Sequence, residues 1–189
     1  PSTVWADSFE SGSLILPAGE EWQDDGALQV YGLVHLLLSH GVPVHWAILP
    51  GKAHDEIDLI VTTTPLVGGN PELRSYAGGP WVVSATDIDD SLIDLIWEWQ
   101  SLHREVAVHR ATEDFLAPIE RTLAAAPMLT ILADGNESIA FRYLNAASIP
   151  TSSGNTWPPN QLGDYSSYPD ILSPAALAGS AQSAADGAL

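Results

Sequence analysis

From Gly26 to His40 the chain carries apolar residues on nearly every face of a helix: Leu28, Val30, Tyr31, Leu33, Val34, Leu36, Leu37 and Leu38. A helix of that kind is buried on more than one side, so other layers must enclose it. Gly41 and Pro43 stop it in the order expected at a helix C-terminus. Val42 to Ile48 then reads as a strand, and Ile57 to Thr63 as another, rich in β-branched residues.

The rest of the chain continues the alternation. Thr3 to Ala6 is a short strand ending at Asp7, and Trp81-Val82-Val83 follows the breaker Gly78-Gly79-Pro80. Asp89 to Leu102 is a helix with acids at its start, where they favour the macrodipole. Val106 to Thr112 is a strand, Ile119 to Ala125 a short helix after Pro118, and Met128 to Ala133 a strand. Asn136 caps a last helix with Ile139, Ala140, Tyr143, Leu144 and Ala147 on one stripe.

Strands alternating with helices predict a three-layer α/β sandwich over residues 1–149, with a mostly parallel, flavodoxin-like sheet of five or six strands. The stretch from Thr64 to Gly79 has no helix and leaves room for one antiparallel hairpin. Residues 150–174 are turn-rich and aromatic, and are expected to pack on the domain itself or on a neighbouring subunit. Residues 175–189 are rich in Ala, Ser and Gly and read as a linker or docking tail.

Charge narrows the partners. Twenty-four acidic side chains face six basic ones, a net charge of −18, and Lys52 is the only lysine. Phosphate backbones and anionic membranes are bound through clustered Lys and Arg, so nucleic acid is excluded and membrane surfaces are disfavoured. No apolar run is long enough to insert in a bilayer. The absence of cysteine removes disulfides, thiolate metal sites and thiol nucleophiles. With seven tryptophans, almost no lysine and a first residue other than methionine, the chain is expected to be extracellular or at the cell surface after loss of a signal peptide.

In an open parallel sheet, ligands bind beyond the carboxyl ends of the strands. Asp7, Asp87, Glu113, Asp114 and Asp134 follow predicted strands, and Asp89 lies close by. Converging carboxylates would raise one another's pKa or hold Ca2+ or Mg2+, giving a candidate metal set of Asp7, Asp87, Asp89, Glu113 and Asp134. Asp and Glu after a strand are also ordinary helix caps and first-turn residues, and each of these precedes a predicted helix. Asp134-Gly135-Asn136 places an acid where nucleophile elbows sit in hydrolase-like folds, which makes Asp134, with Asp7 and Glu113, the catalytic candidates. An Asp in a tight turn also fits that position. No HExxH, GxSxG or GxGxxG occurs, and Gly68-Gly69 lacks the Lys-Ser/Thr of a phosphate loop. On the helix from Asp89, Ile93 and Trp97 fall outside the core stripe of Ile88, Leu92, Leu95, Ile96, Trp99 and Leu102. With Trp157, Tyr165 and Tyr168 they form the candidate interface set.

The strings Tyr31-Gly32-Leu33-Val34, Gly41-Val42-Pro43-Val44-His45-Trp46-Ala47-Ile48, Gly78-Gly79-Pro80-Trp81-Val82-Val83 and Ala133-Asp134-Gly135-Asn136 together resemble an uncharacterised family of secreted or cell-surface bacterial proteins of myxobacterial type. The resemblance runs from about Trp5 to Leu172 and implies export without implying an activity. More distantly, the strand order is similar to the flavodoxin-like sandwich of class I glutamine amidotransferases. That family's cysteine elbow is missing, Asp134 stands at the turn, and no histidine follows His109, so the resemblance implies the fold without the chemistry. The expectation is a non-catalytic extracellular assembly or binding domain, joined to copies of itself or to another surface protein and needing no cofactor. The alternative is a hydrolase or divalent-metal enzyme working at the strand-end acids.

Overall fold

The computed structural model describes residues 6–23 and 27–174, and the chain divides after Ala126 into two compact units. The predicted strand at residues 3–6 lies almost wholly outside the described residues, as do Gly26 and the tail at 175–189.

The first unit contains, in chain order, β1 (Asp7–Phe9), β2 (Leu14–Leu16), α1 (Glu20–Gln23), α2 (Gln29–Ser39), β3 (Val44–Ala47), β4 (Ile57–Pro65), β5 (Glu72–Ala77), β6 (Trp81–Val83), α3 (Asp90–Leu102), β7 (His109–Ala111), β8 (Phe115–Ala117) and β9 (Ile119–Leu123). Seven strands form one sheet in the order β5-β4-β7-β2-β6-β3-β9, and every neighbouring pair in it is antiparallel. The predicted parallel, flavodoxin-like sandwich is therefore overturned.

Interleaving explains the error. β2 and β3 are joined through helices and run in the same direction, since both are antiparallel to β6, but β6 lies between them. β6 and β7 are joined through α3 and also share a direction, with β2 between them. Each crossover skips one strand, so strand–helix alternation coexists with an antiparallel ladder. The hairpin expected between Thr64 and Gly79 is the β4–β5 pair, although β4 begins at Ile57. The helix expected at Ile119–Ala125 is instead the edge strand β9. Thr122 suits a strand, and its hydroxyl meets His45 Nδ1 of β3 at 3.0 Å.

Alternation along the strands separates two cores. One face carries Leu14, Leu16, Val44, Trp81, Val83 and Val108 against α2 and α3. The other carries Ile15, Leu59, Val61, Tyr76 and Val82 under the β1–β8 ribbon and Trp22 of α1. The helix layer leaves Tyr31 on α2 half exposed, so this helix is less enclosed than its composition implies. Asp89 caps α3 as expected, its carboxylate accepting from Leu92 N at 2.8 Å.

The second unit is β10 (Ile131–Leu132), α4 (Glu137–Ala146) and β11 (Ile171–Leu172), with β10 and β11 paired in parallel. Phe141, Trp157 and Ile171 form its core, with Leu144, Tyr165 and Tyr168 packed around them. The aromatic segment at 150–174 thus folds onto α4. Among the described residues no helix is long and apolar enough to cross a membrane.

Candidate functional site

β7 presents consecutive side chains to opposite faces of the sheet, and the two faces treat them differently. His109 points into the ribbon-side core. There Tyr76 OH lies 2.8 Å from His109 Nδ1 and 2.7 Å from Thr63 Oγ1. Arg74 Nη1 donates to the Thr63 carbonyl and, at 3.2 Å, reaches its hydroxyl, while Nη2 pairs with Glu72 at 2.8 Å. Trp22 closes the cluster, edge-on to the imidazole at 5.2 Å, with the Arg74 guanidinium 6.0 Å from its ring. Burial, reinforced by the Arg74 charge, pulls the His109 pKa down to about 4, and burial pushes Tyr76 up to about 12. The imidazole is neutral near pH 7 and engaged by Tyr76, so the cluster reads as a lock tying β4, β5, β7 and α1 together.

That lock has a pH signature. The folded pKa of His109 lies below the ordinary 6.5, so between those values the unfolded chain binds more protons. The stabilisation is complete above pH 6.5 and is lost as pH falls through about 4. The full difference corresponds to about 3 kcal/mol. His109→Asn keeps an acceptor near Nδ1 but does not titrate. Urea unfolding at pH 7 and pH 4 should show wild type losing up to about 3 kcal/mol more than the variant. Equal pH dependence would refute the assignment.

Arg110 points to the helix side, where a cleft of about 330 Å³ opens between the β4–β5 turn and α3. Thr64, Gly68 and Gly69 form one wall, Asp90, Ile93 and Trp97 the other, and Arg110 joins them. Gly69, at φ 157°, lets the turn fold back on Pro65, because a Cβ there would meet Pro65 Cδ at 3.0 Å. Arg110 Nε is buried without a hydrogen-bond partner, and among the described residues the guanidinium makes no ion pair. Lys52 and Arg74 are paired with Asp58 and Glu72, and Arg104, Arg121 and Arg142 make no ion pair among the described residues; the buried, unpartnered Nε sets Arg110 apart.

A larger cleft, about 490 Å³, lies in the second unit beside Glu137 and Tyr165. Its carboxylate is already committed, accepting from Gly135 N at 2.7 Å and Tyr165 OH at 2.8 Å. Hydrogen bonds from its own backbone and from Tyr165 hold the Glu137 carboxyl below its usual range.

The strand-end acids are dispersed by the antiparallel topology. Asp87, in the 3-10 turn Ala85–Asp87, follows β6, and Glu113 follows β7, so these two leave the sheet at the same edge. Glu113 accepts from Thr62 N at 3.3 Å, and Asp114 from Ser11 N at 2.8 Å. Asp7 sits on β1 in the separate ribbon, paired with Ala117, and Asp89 is occupied as the α3 cap. Asp134 lies in the second unit, where its carboxylate accepts from Asn136 N at 3.0 Å as a turn residue. Among the described residues no group of three or more His, Asp or Glu is placed to hold a metal ion. The premise that these carboxylates share one sheet edge therefore fails for the set as a whole.

The interface candidates divide as well. Trp97 is 49% exposed on the cleft wall, but Ile93 is 8% exposed and belongs to the core, which corrects the expected Ile93/Trp97 surface pair. It faces inward because Ile93 and Ile96 share the helix side turned to the sheet. Trp157 is buried in the second unit, with Tyr165 and Tyr168 partly buried against the same core. Sequence reasoning passed over Arg110. The available signal was a scarce cation within an otherwise apolar strand pattern, Val106 to Ala111.

No family model, no curated protein and no solved structure matches this chain.

Proposed function

We propose that the first unit is a non-catalytic binding domain whose cleft between the β4–β5 turn and α3 takes a small ligand through a carboxylate. The observation that carries this reading is Arg110: a guanidinium that lines a cleft with its Nε buried and without a hydrogen-bond partner among the described residues, in a chain with 24 acids and six bases. With so many carboxylates available, a cation left without one is a site with recognition capacity to spare. Arg presents a planar fork of donors that matches a carboxylate bidentately. Trp97 supplies a broad apolar face beside it. A volume of about 330 Å³ is at the small end of ligand pockets, so the ligand is a single small molecule. The net charge of −18 repels polyanions and leaves a single carboxylate as the favoured anion. The extracellular setting expected from composition belongs to the same reading.

The test is a ligand titration followed by 1H–15N NMR, using phenylacetate as the probe. Saturable shifts are expected at the Arg110 Nε–H and Trp97 indole N–H signals. Arg110→Met should weaken binding about 10- to 100-fold, the range for a lost hydrogen bond to a charged group. Absence of any shift at both signals would refute the reading.

A further inference from the structure

We infer that the ligand is a zwitterion, a free α-amino acid with an apolar or aromatic side chain; this rests on the carboxylate reading of the cleft and deepens it. The second charge is supplied by Asp90. It lines the same cleft, is exposed, and among the described residues makes no hydrogen bond or ion pair. Capping of α3 is done by its neighbour Asp89, which accepts from Leu92 N at 2.8 Å and Ser91 Oγ at 2.6 Å, so Asp90 is not consumed by the helix. Asp90 and Arg110 are opposite charges on one cleft, yet no ion pair joins them. A ligand that carries both charges satisfies both groups at once, its carboxylate on Arg110 and its ammonium on Asp90.

Position along α3 supports the same ligand. Asp90, Ile93 and Trp97 are spaced three and four residues apart, which stacks them along one helix face. The charged end of the cleft therefore passes into an apolar wall, as an ammonium passes into an apolar side chain. A cation near the N-terminus of α3 meets an unfavourable helix dipole of roughly half a charge, and the full negative charge of Asp90 outweighs it. Net charge adds an independent argument. A simple carboxylate approaches a protein of −18 against a repulsive field, whereas a zwitterion is neutral overall and is not repelled. The cleft thus admits a carboxylate best when an ammonium accompanies it.

Three probes with one side chain separate the contributions: L-phenylalanine, N-acetyl-L-phenylalanine without the ammonium, and L-phenylalaninamide without the carboxylate. Each is titrated into the whole chain, and shifts at Arg110 and Trp97 are followed by NMR at low salt. L-phenylalanine should bind at least about tenfold more tightly than either analogue, since each analogue leaves one charged group unsatisfied. Asp90→Asn should reduce binding of L-phenylalanine to that of the N-acetyl compound while leaving the N-acetyl compound unchanged. If the N-acetyl compound binds as well as the amino acid and still depends on Arg110, the zwitterion inference falls and the carboxylate reading stands. If no probe perturbs the cleft, or all bind alike in Arg110→Met, both fall.

Discussion

Asp58→Ala is expected to lower the unfolding free energy by about 3–5 kcal/mol, the cost of breaking a buried charge pair from one side. The Asp58 side chain is fully buried, and each of its oxygens is used. Oδ1 accepts from Leu49 N at 2.9 Å, and Oδ2 accepts from Gly79 N at 2.8 Å and pairs with Lys52 Nζ at 2.9 Å. Alanine would strand two backbone donors and leave the ammonium of Lys52, whose side chain is only 11% exposed, without its counter-charge and with the Glu56 carbonyl as its remaining acceptor. The carboxylate also anchors the bend before β6. Gly79 holds φ at 75°, and a Cβ there would sit 2.6 Å from Trp46 Nε1, which itself donates to Gly79 O at 2.9 Å. One buried acid therefore sets how the chain enters β6 and how the loop after β3 closes. Urea unfolding followed by tryptophan fluorescence measures the loss. Lys52→Met should also destabilise, because it leaves the anion buried alone, and the double variant should cost less than the sum of the two. A loss below about 1 kcal/mol for Asp58→Ala would show that the loop is held by other contacts.

The chain's only lysine serves this structural pair, which bears on what could be read from sequence. Lys52 was visible as a rarity, but its partner six residues on was not, because a turn bringing them together leaves no periodic trace. Elements with a strong local signal were legible: the long apolar run of α2, the helical stripe of α3, the β-branched run of β4 and the Gly78-Gly79-Pro80 breaker ahead of β6 place them close to where they stand. β2 was missed, and with it the fold. Leu14, Ile15 and Leu16 are all fully buried, so this central strand has no alternation to reveal it; β6 is buried throughout as well but is marked by the Gly78-Gly79-Pro80 breaker before it. Its insertion between β6 and β7 converts expected parallel neighbours into antiparallel ones, a non-local choice made by pairing and not by any segment alone. The site followed the same rule. Trp97 stood out because its helix face could be counted, whereas Arg110 gained meaning only when β7 was placed between β4 and β2 and its guanidinium was left facing α3.

In the second unit, Trp157→Ala is expected to cost about 3–5 kcal/mol, as for other fully buried aromatic truncations. Trp157 is 1% exposed and stacks on Phe141 with ring centroids 6.0 Å apart. Its indole donates to Ile149 O at 2.9 Å, so truncation removes packing and strands a carbonyl. Asn145 of α4 grips the backbone on both sides, its Oδ1 accepting from Trp157 N at 2.9 Å and its Nδ2 donating to Trp157 O at 3.0 Å. Those two bonds survive in the alanine variant. The measured loss therefore reports the side chain and not the loop's attachment. The unit has little else to absorb it: one described helix, a two-residue parallel ladder and a three-residue buried core. The loss should appear as local unfolding, with amide protection in α4 and at Ile131 and Ile171 falling at least about 100-fold, as a loss of about 3 kcal/mol implies. Trp157→Phe retains most of the apolar area and gives up only the bond to Ile149, so its cost should be about 1–2 kcal/mol. If α4 exchanges as slowly in Trp157→Ala as in the wild type, the aromatic stack is not what fixes this helix, and the clamp from Asn145 becomes the interaction to remove.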